Sequence, residues 1–132
     1  MLRSWAVPKG LSTDPREKRL AVEVEDHALS YARFEGRIAE GSYGAGSVIV
    51  WDIGSYRNLG DMPLADALAD GHASVWLEGE KLRGGWTLQR IRRGRKPQWL
   101  VIKRRDEGAD ARRRPTSTQP ESVLSGRRVE DL

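Results

Sequence analysis

The sequence predicts a mostly β chain: an antiparallel β-barrel, incomplete at its N-terminal side, with one short helix. Three observations carry this. Apolar residues recur at every second position in several short runs, as on strands with one buried face. Glycines punctuate the runs where turns or bulges are needed. A length of 132 residues suits one domain better than two.

The elements follow in chain order. Met1-Leu2-Arg3-Ser4-Trp5-Ala6-Val7 reads as a strand with no leading loop, which suits a chain cut in mid-sheet. Leu20, Val22 and Val24 alternate with Ala21, Glu23 and Glu25, the pattern of a half-buried strand. Val48-Ile49-Val50-Trp51 is an unbroken apolar run, read as a strand buried on both sides. Leu64 to Ala69 has helical character, with Asp61 as its cap. Ala73, Val75 and Leu77 alternate with polar neighbours, Trp86 shares a face with Leu88, and Trp99 shares one with Val101. Gly41, Gly44, Gly46, Gly54, Gly84 and Gly85 read as joints, and Arg92 to Pro97 as a hairpin tip. Seven or so strands result, with no internal repeat. Residues 1–103 form the expected β domain. Residues 104–132 hold few large aliphatics and many arginines, and read as a basic, largely flexible tail whose end could dock.

Composition excludes several function classes. There is no cysteine, so disulfides, thiolate metal sites and cysteine catalysis are out, and a reducing, cytoplasmic setting is expected. No apolar run approaches membrane-spanning length, and no apolar leader opens the chain. Lys+Arg 23 against Asp+Glu 19 gives a formal charge of +4 and a pI of about 9.8. Part of that charge is local: Arg90, Arg92, Arg93, Arg95, Lys96, Lys103, Arg104 and Arg105 follow one another with no acid between them. Such a stripe attracts polyanions, nucleic acid above all. It also serves to keep a sheet edge solvated.

Few motifs carry chemistry. There is no zinc-protease helix, no Walker loop and no nucleophile elbow. Gly41-x-x-Gly44-x-Gly46 lacks the following Lys-Ser/Thr of a phosphate loop, and reads as a bulged turn. Glu25-Asp26-His27 sets two carboxylates beside an imidazole. Neighbours on a strand face opposite ways, so the three cannot share one metal without a kink. His27 is a candidate functional histidine, whereas His72 follows Asp70-Gly71 and reads as a turn residue.

A resemblance adds to this reading. Ser4-Trp5-Ala6-Val7-Pro8-Lys9-Gly10, Asp14-Pro15, Lys18-Arg19-Leu20-Ala21-Val22, Val24-Glu25-Asp26-His27, Tyr31, Phe34-Glu35-Gly36, Gly41-x-Tyr43-Gly44-Ala45-Gly46 and Val50-Trp51-Asp52 occur in that order. They continue through Leu77-x-Gly79-x-Lys81-Leu82-x-Gly84, Trp86-x-Leu88 and Trp99-Leu100-Val101-x-Lys103 to Ser122-Val123-Leu124-Ser125-Gly126-Arg127. This series, covering nearly the whole chain, closely resembles the 3′-phosphoesterase domain of bacterial DNA ligase D. The resemblance implies a β-barrel that trims DNA 3′ ends in nonhomologous end joining. It removes a 3′-terminal ribonucleotide and hydrolyses a 3′-phosphate, usually with manganese. By position it implies His27 at the scissile phosphate or leaving oxygen, Arg19 and Lys9 as phosphate-binding cations, and Tyr31 as a phenolic donor. Arg19 and His27 are eight apart, an even spacing that would put both on one sheet face. Tyr31 would keep that face if the chain stayed extended. Implied partners are DNA 3′ ends, together with a ligase, a polymerase/primase or a Ku-type end-binding protein, in the cytoplasm beside the nucleoid.

One departure stands against the match. The family's metal ligands sit in a His-x-Asp-x-Arg element and an earlier histidine, upstream of the region aligned here, and this sequence contains no such element. No metal ligand is therefore assigned, and catalysis by the chain as written is in question. The alternative is a DNA-end-binding or accessory fragment that works with a separate ligase. A barrel without its first strands is also expected to be marginally stable or to self-associate.

Overall fold

The computed structural model describes residues 2–38 and 46–131. Six strands form one antiparallel sheet: β1 (Leu2–Ala6), β2 (Lys18–His27), β5 (Gly54–Asn58), β6 (His72–Gly79), β7 (Arg83–Arg92) and β8 (Gln98–Lys103). Their order across the sheet is β1-β2-β8-β7-β6-β5, an open half-barrel edged by β1 and β5. Two shorter strands, β3 (Gly36–Ile38) and β4 (Gly46–Val48), pair separately. The helices are α1 (Leu64–Asp70) and α2 (Pro115–Thr118). The fold class read from the sequence is therefore the one observed.

One face of the sheet carries the core. Register places Ala21 opposite Trp99, Leu88 opposite Val101, and Val75 opposite Trp86. Facing partners share a side of the sheet, so these residues form one continuous layer. Trp99 and Ala21 are fully buried and Trp86 nearly so. Helix α1 closes the layer with Ala67 and Leu68. A buried indole usually finds a partner for its N–H, as two do here, whereas the Trp5 N–H has none among the described residues. Trp86 donates to Ser12 O at 2.9 Å and Trp99 to Glu23 at 3.0 Å. Trp5 packs edge-on against Trp99, centroids 5.8 Å apart.

Several expectations are corrected. Val48 to Trp51 is not one doubly buried strand: β4 ends at Val48, and only Val50 of the run is buried. Val50 N–H goes to the Glu35 carboxylate and Val50 O accepts from Val123, so this backbone is satisfied outside any sheet. Helix α1 starts after Pro63, not from Asp61, and has no side-chain cap. It ends at Gly71, whose φ of 85° is the left-handed geometry that favours glycine. Gly84 and Gly85 lie within β7 rather than at a joint. A side chain at Gly84 would sit 2.7 Å from the Lys103 ammonium, so close approach explains that glycine. Gly41 and Gly44 lie outside the described residues.

The segment after β8, expected as a tail from residue 104, contacts β7 and β8 and the loops at Thr13, Glu35 and Trp51. Lys103, fully buried, pairs with Asp106 at 2.6 Å and also donates to Gly85 O and Arg104 O. Asp110 bonds the loop at Thr13, Trp51 donates to Gln119 O, and Ser122 meets Glu35. The sequence pattern showed no element here because these contacts are polar and backbone-mediated, and leave no apolar period.

Candidate active site

Strand β2 runs between two groups of candidate residues. Arg19, near its start, lies opposite Val101 on the core face. Its guanidinium donates to Lys9 O, and pairs with Glu17 at 2.8 Å. The turn it grips, Val7 to Gly10, is closed by a 2.8 Å bond from Gly10 N to Val7 O and uses a φ of 73° at Gly10. Lys9 is exposed at the tip of that turn. Arg19 thus orients the backbone that presents Lys9. The same contact holds the Glu17 carboxyl below its usual range.

His27 ends β2, and a bulge decides which way it points. Ser4 faces Val24, but Leu2 faces His27. Two steps on β1 therefore match three on β2, so one residue of β2 is extra. The insertion inverts the alternation. Asp26 reaches Arg3 on the core face at 3.7 Å, while His27 Nδ1 lies 2.7 Å from Ser4 Oγ on the opposite face. The even-spacing argument for Arg19 and His27 fails for this reason. They occupy opposite faces and opposite ends of β2, roughly 25 Å apart along an extended strand, too far to grip one phosphate.

Tyr31 does meet His27, by a different route from the one expected. The chain leaves β2 and enters a 3-10 turn over Leu29–Arg33. That turn stacks Tyr31 on His27, with centroids 4.5 Å apart and planes 18° from parallel. Phe34 continues the stack at 5.6 Å. Ser4 Oγ also lies 3.1 Å from Leu2 O and donates there. With its one proton given to Leu2, the Ser4 oxygen accepts from Nδ1–H, which leaves the lone pair of neutral His27 on Nε2. The result is a half-buried imidazole, fixed at one nitrogen, with a phenol stacked on its face. Sequence reasoning missed Ser4 and Phe34. Both lie inside the resembling stretches, but only the bulge and the turn reveal their contact with the candidate pair.

Just beyond Phe34, Glu35 ties the site to the C-terminal segment. Its carboxylate accepts from Ser122 Oγ and from Val50 N–H at 2.8 Å. Hydrogen bonds from Ser122, Ser125 and Val50 hold its carboxyl below the usual range.

Comparison with known proteins fixes the family. The profile of the DNA Ligase D 3′-phosphoesterase domain matches residues 1–90. The chain belongs to this family. The multifunctional non-homologous end joining protein LigD of Pseudomonas aeruginosa is 51% identical over 129 residues, covering 96% of this chain and 15% of that protein. The LigD DNA repair protein of Mycobacterium tuberculosis is 42% identical over 101 residues, covering 76% of this chain and 12% of that protein. LigD of Mycolicibacterium smegmatis is 39% identical over 111 residues, covering 81% and 14%. The chain therefore spans a small part of the length of these relatives.

The manganese implied for a ligase D phosphoesterase domain does not fit the residues seen here. Among the described residues no three His, Cys, Asp or Glu side chains come together as a metal site. Asp26 is engaged by Arg3, and His27 uses Nδ1 on Ser4. The Glu25-Asp26-His27 triplet is thus split between two faces. Among the described residues no helix is long and apolar enough to cross a membrane.

Proposed function

We propose that this chain processes DNA 3′ ends in nonhomologous end joining, as a phosphoesterase that converts a 3′-phosphate or a 3′-terminal ribonucleotide end to a 3′-hydroxyl. The observation that carries the reading is the family match spanning most of the chain, with His27 and Tyr31 in contact. In the phosphatase reaction water forms a bond to phosphorus, the bond from phosphorus to the 3′-oxygen breaks, and that oxygen takes up a proton. His27 suits the last step. With Nδ1–H anchored on Ser4, the Nε2 lone pair takes a proton from solvent, and the resulting Nε2–H gives that proton to the leaving 3′-oxygen as the bond from phosphorus breaks. The Tyr31 hydroxyl would donate to a phosphate oxygen. Arg19 is a positioning residue for Lys9, whose ammonium would meet a phosphate further along the DNA. No step is routed through manganese. The setting proposed is the cytoplasm, where bacterial DNA ends arise.

The test uses a primer-template bearing a 3′-phosphate or one 3′-ribonucleotide, with and without added Mn²⁺. Phosphate release by the wild-type chain that disappears in His27→Ala supports the reading. Equal release by His27→Ala, or none from either protein in any condition, overturns it.

A further inference from the structure

The structure divides the basic stripe of β7 and β8 into two sets. Arg90 lies over the Trp99 ring at 5.6 Å and donates to Ala69 O. Lys103 is buried on Asp106, and Arg104 bonds Ser74. These three are consumed by the fold. Arg92, Arg93, Arg95 and Lys96 are not part of the core. All four are exposed at the β7–β8 hairpin tip. No ion pair among the described residues uses Arg92, Arg93 or Arg95. Gly94, at the apex, has open space where a side chain would be.

The position of this tip is set by register. Val22 faces Gln98, and Glu23 N–H donates to Pro97 O at 2.9 Å. The strands are antiparallel, so residues after Glu23 on β2 run alongside the tip. Arg95, Lys96 and Pro97 line one side of a cleft whose other side is Glu23, Val24 and Glu25. His27 is two residues further on. The acids nearby are partly engaged already: Glu23 accepts from Trp99, and Glu23 and Asp26 both pair with Arg3. Glu25 and Asp70, the latter in a cleft with Arg92 and Arg93, leave the tip net positive.

From this juxtaposition we propose that the β7–β8 hairpin tip grips the sugar–phosphate backbone of the DNA strand leading to the 3′ end at His27. The inference rests on the end-processing reading, and it assigns the surface that carries the rest of the substrate. Three guanidiniums on one exposed turn supply cations that backbone phosphates attract, and phosphate contacts read no base. Affinity through this tip is therefore salt-dependent and indifferent to sequence.

The experiment is fluorescence anisotropy of a labelled duplex with a recessed 3′ end, titrated with protein from about 50 to 200 mM NaCl. The variants are R92Q/R93Q/R95Q, a control with equal charge loss elsewhere, R105Q/R112Q/R128Q, and R92K/R93K/R95K. The hairpin Gln variant lowers the slope of log K against log salt by about 2 to 3, near 0.9 for each phosphate that the protein no longer neutralises. The control lowers it by less than about 1, and the Lys variant retains the wild-type slope. Equal slope changes in the two Gln variants, or none in the hairpin variant, overturn the proposal. If the Gln variant fails to fold, the pair R93Q/R95Q is read against R105Q/R112Q, which loses the same two charges. Binding needs no turnover. Absence of phosphate release by the wild type therefore sinks the enzymatic reading, while the slopes still decide the hairpin's role.

Discussion

Ser4 and His27 lie far apart in sequence and 2.7 Å apart in space. The Ser4 hydroxyl fixes the imidazole without touching substrate, so its removal should lower kcat while leaving KM nearly unchanged. Ser4→Ala is expected to cost about tenfold in kcat, the worth of one modest hydrogen bond. Ser4→Thr, which keeps the hydroxyl, should restore most of it. A loss in KM alone would show that Ser4 serves binding instead. Glu35 gives a pH test. Its carboxyl is held below its usual range by Ser122, Ser125 and Val50. A depressed folded-state value stabilises fully above the unfolded pKa of about 4.3. That contribution fades as pH falls through the lower folded value. The Tm of the wild type should therefore drop on acidification below about pH 4 more steeply than that of Glu35→Gln. Parallel Tm profiles would remove the clasp from the account. At this scale His27 and Tyr31 were legible as residue types in a resembling stretch. The direction of His27 was not, because Glu25 and Asp26 carry no pattern that announces an inserted residue.

Strands were the most legible elements. Alternation over Ala73–Leu77 reports one buried face directly. Alternation over Leu20–Val24 located β2 but inverted its faces: Ala21, opposite Trp99, is fully buried while Leu20 is exposed, because the small side chain makes room for the indole. The run Val48–Trp51 misled because an apolar run fits a buried strand and a packed loop equally well. Only the Glu35 and Val123 contacts decide between them. The helix boundary shifted because the first turn of α1 forms after Pro63 without any capping side chain. The segment after β8 was least legible, since Asp106 reads as one acid in a charged stretch. In the structure it neutralises buried Lys103 and accepts from Gly85 and Gly108 N–H. Burial alone would raise its pKa, but the Lys103 ammonium and these two N–H groups outweigh that and lower it. Asp106→Ala strands a buried ammonium, and should destabilise the fold by about 3 kcal/mol or more. Urea unfolding checks this. A change under about 1 kcal/mol would mean that water reaches Lys103 readily.

The accessible surface of the whole chain is 8549 Å², against about 7,000 Å² for a compact monomer of its mass. The excess is what an open half-barrel implies. Among the described residues β1 and β5 each end the sheet with one side unpaired, and unpaired strands recruit partners. Leu20, at 41% exposure, adds apolar surface on the face away from the core. The isolated chain should therefore melt at a temperature that depends on protein concentration, and light scattering should give a mass above the monomer at tens of micromolar. A sharp, concentration-independent melt of a monomer would refute this. The family was legible from ordered sequence matches, and the half-barrel from alternation and glycines. The separation of the Arg19 and His27 ends was not, since spacing along a strand says nothing of distance between functional groups. The central claim is that the terminal phosphate of a DNA strand sits at the His27, Ser4 and Tyr31 end of β2. With only two histidines in the chain, imidazole NMR tests it directly, His72→Gln assigning the signals. A 3′-phosphorylated oligonucleotide should displace the His27 ring resonances, and the same strand ending in a 3′-hydroxyl should leave them nearly in place. Unmoved His27 signals under saturating 3′-phosphorylated DNA would contradict the account.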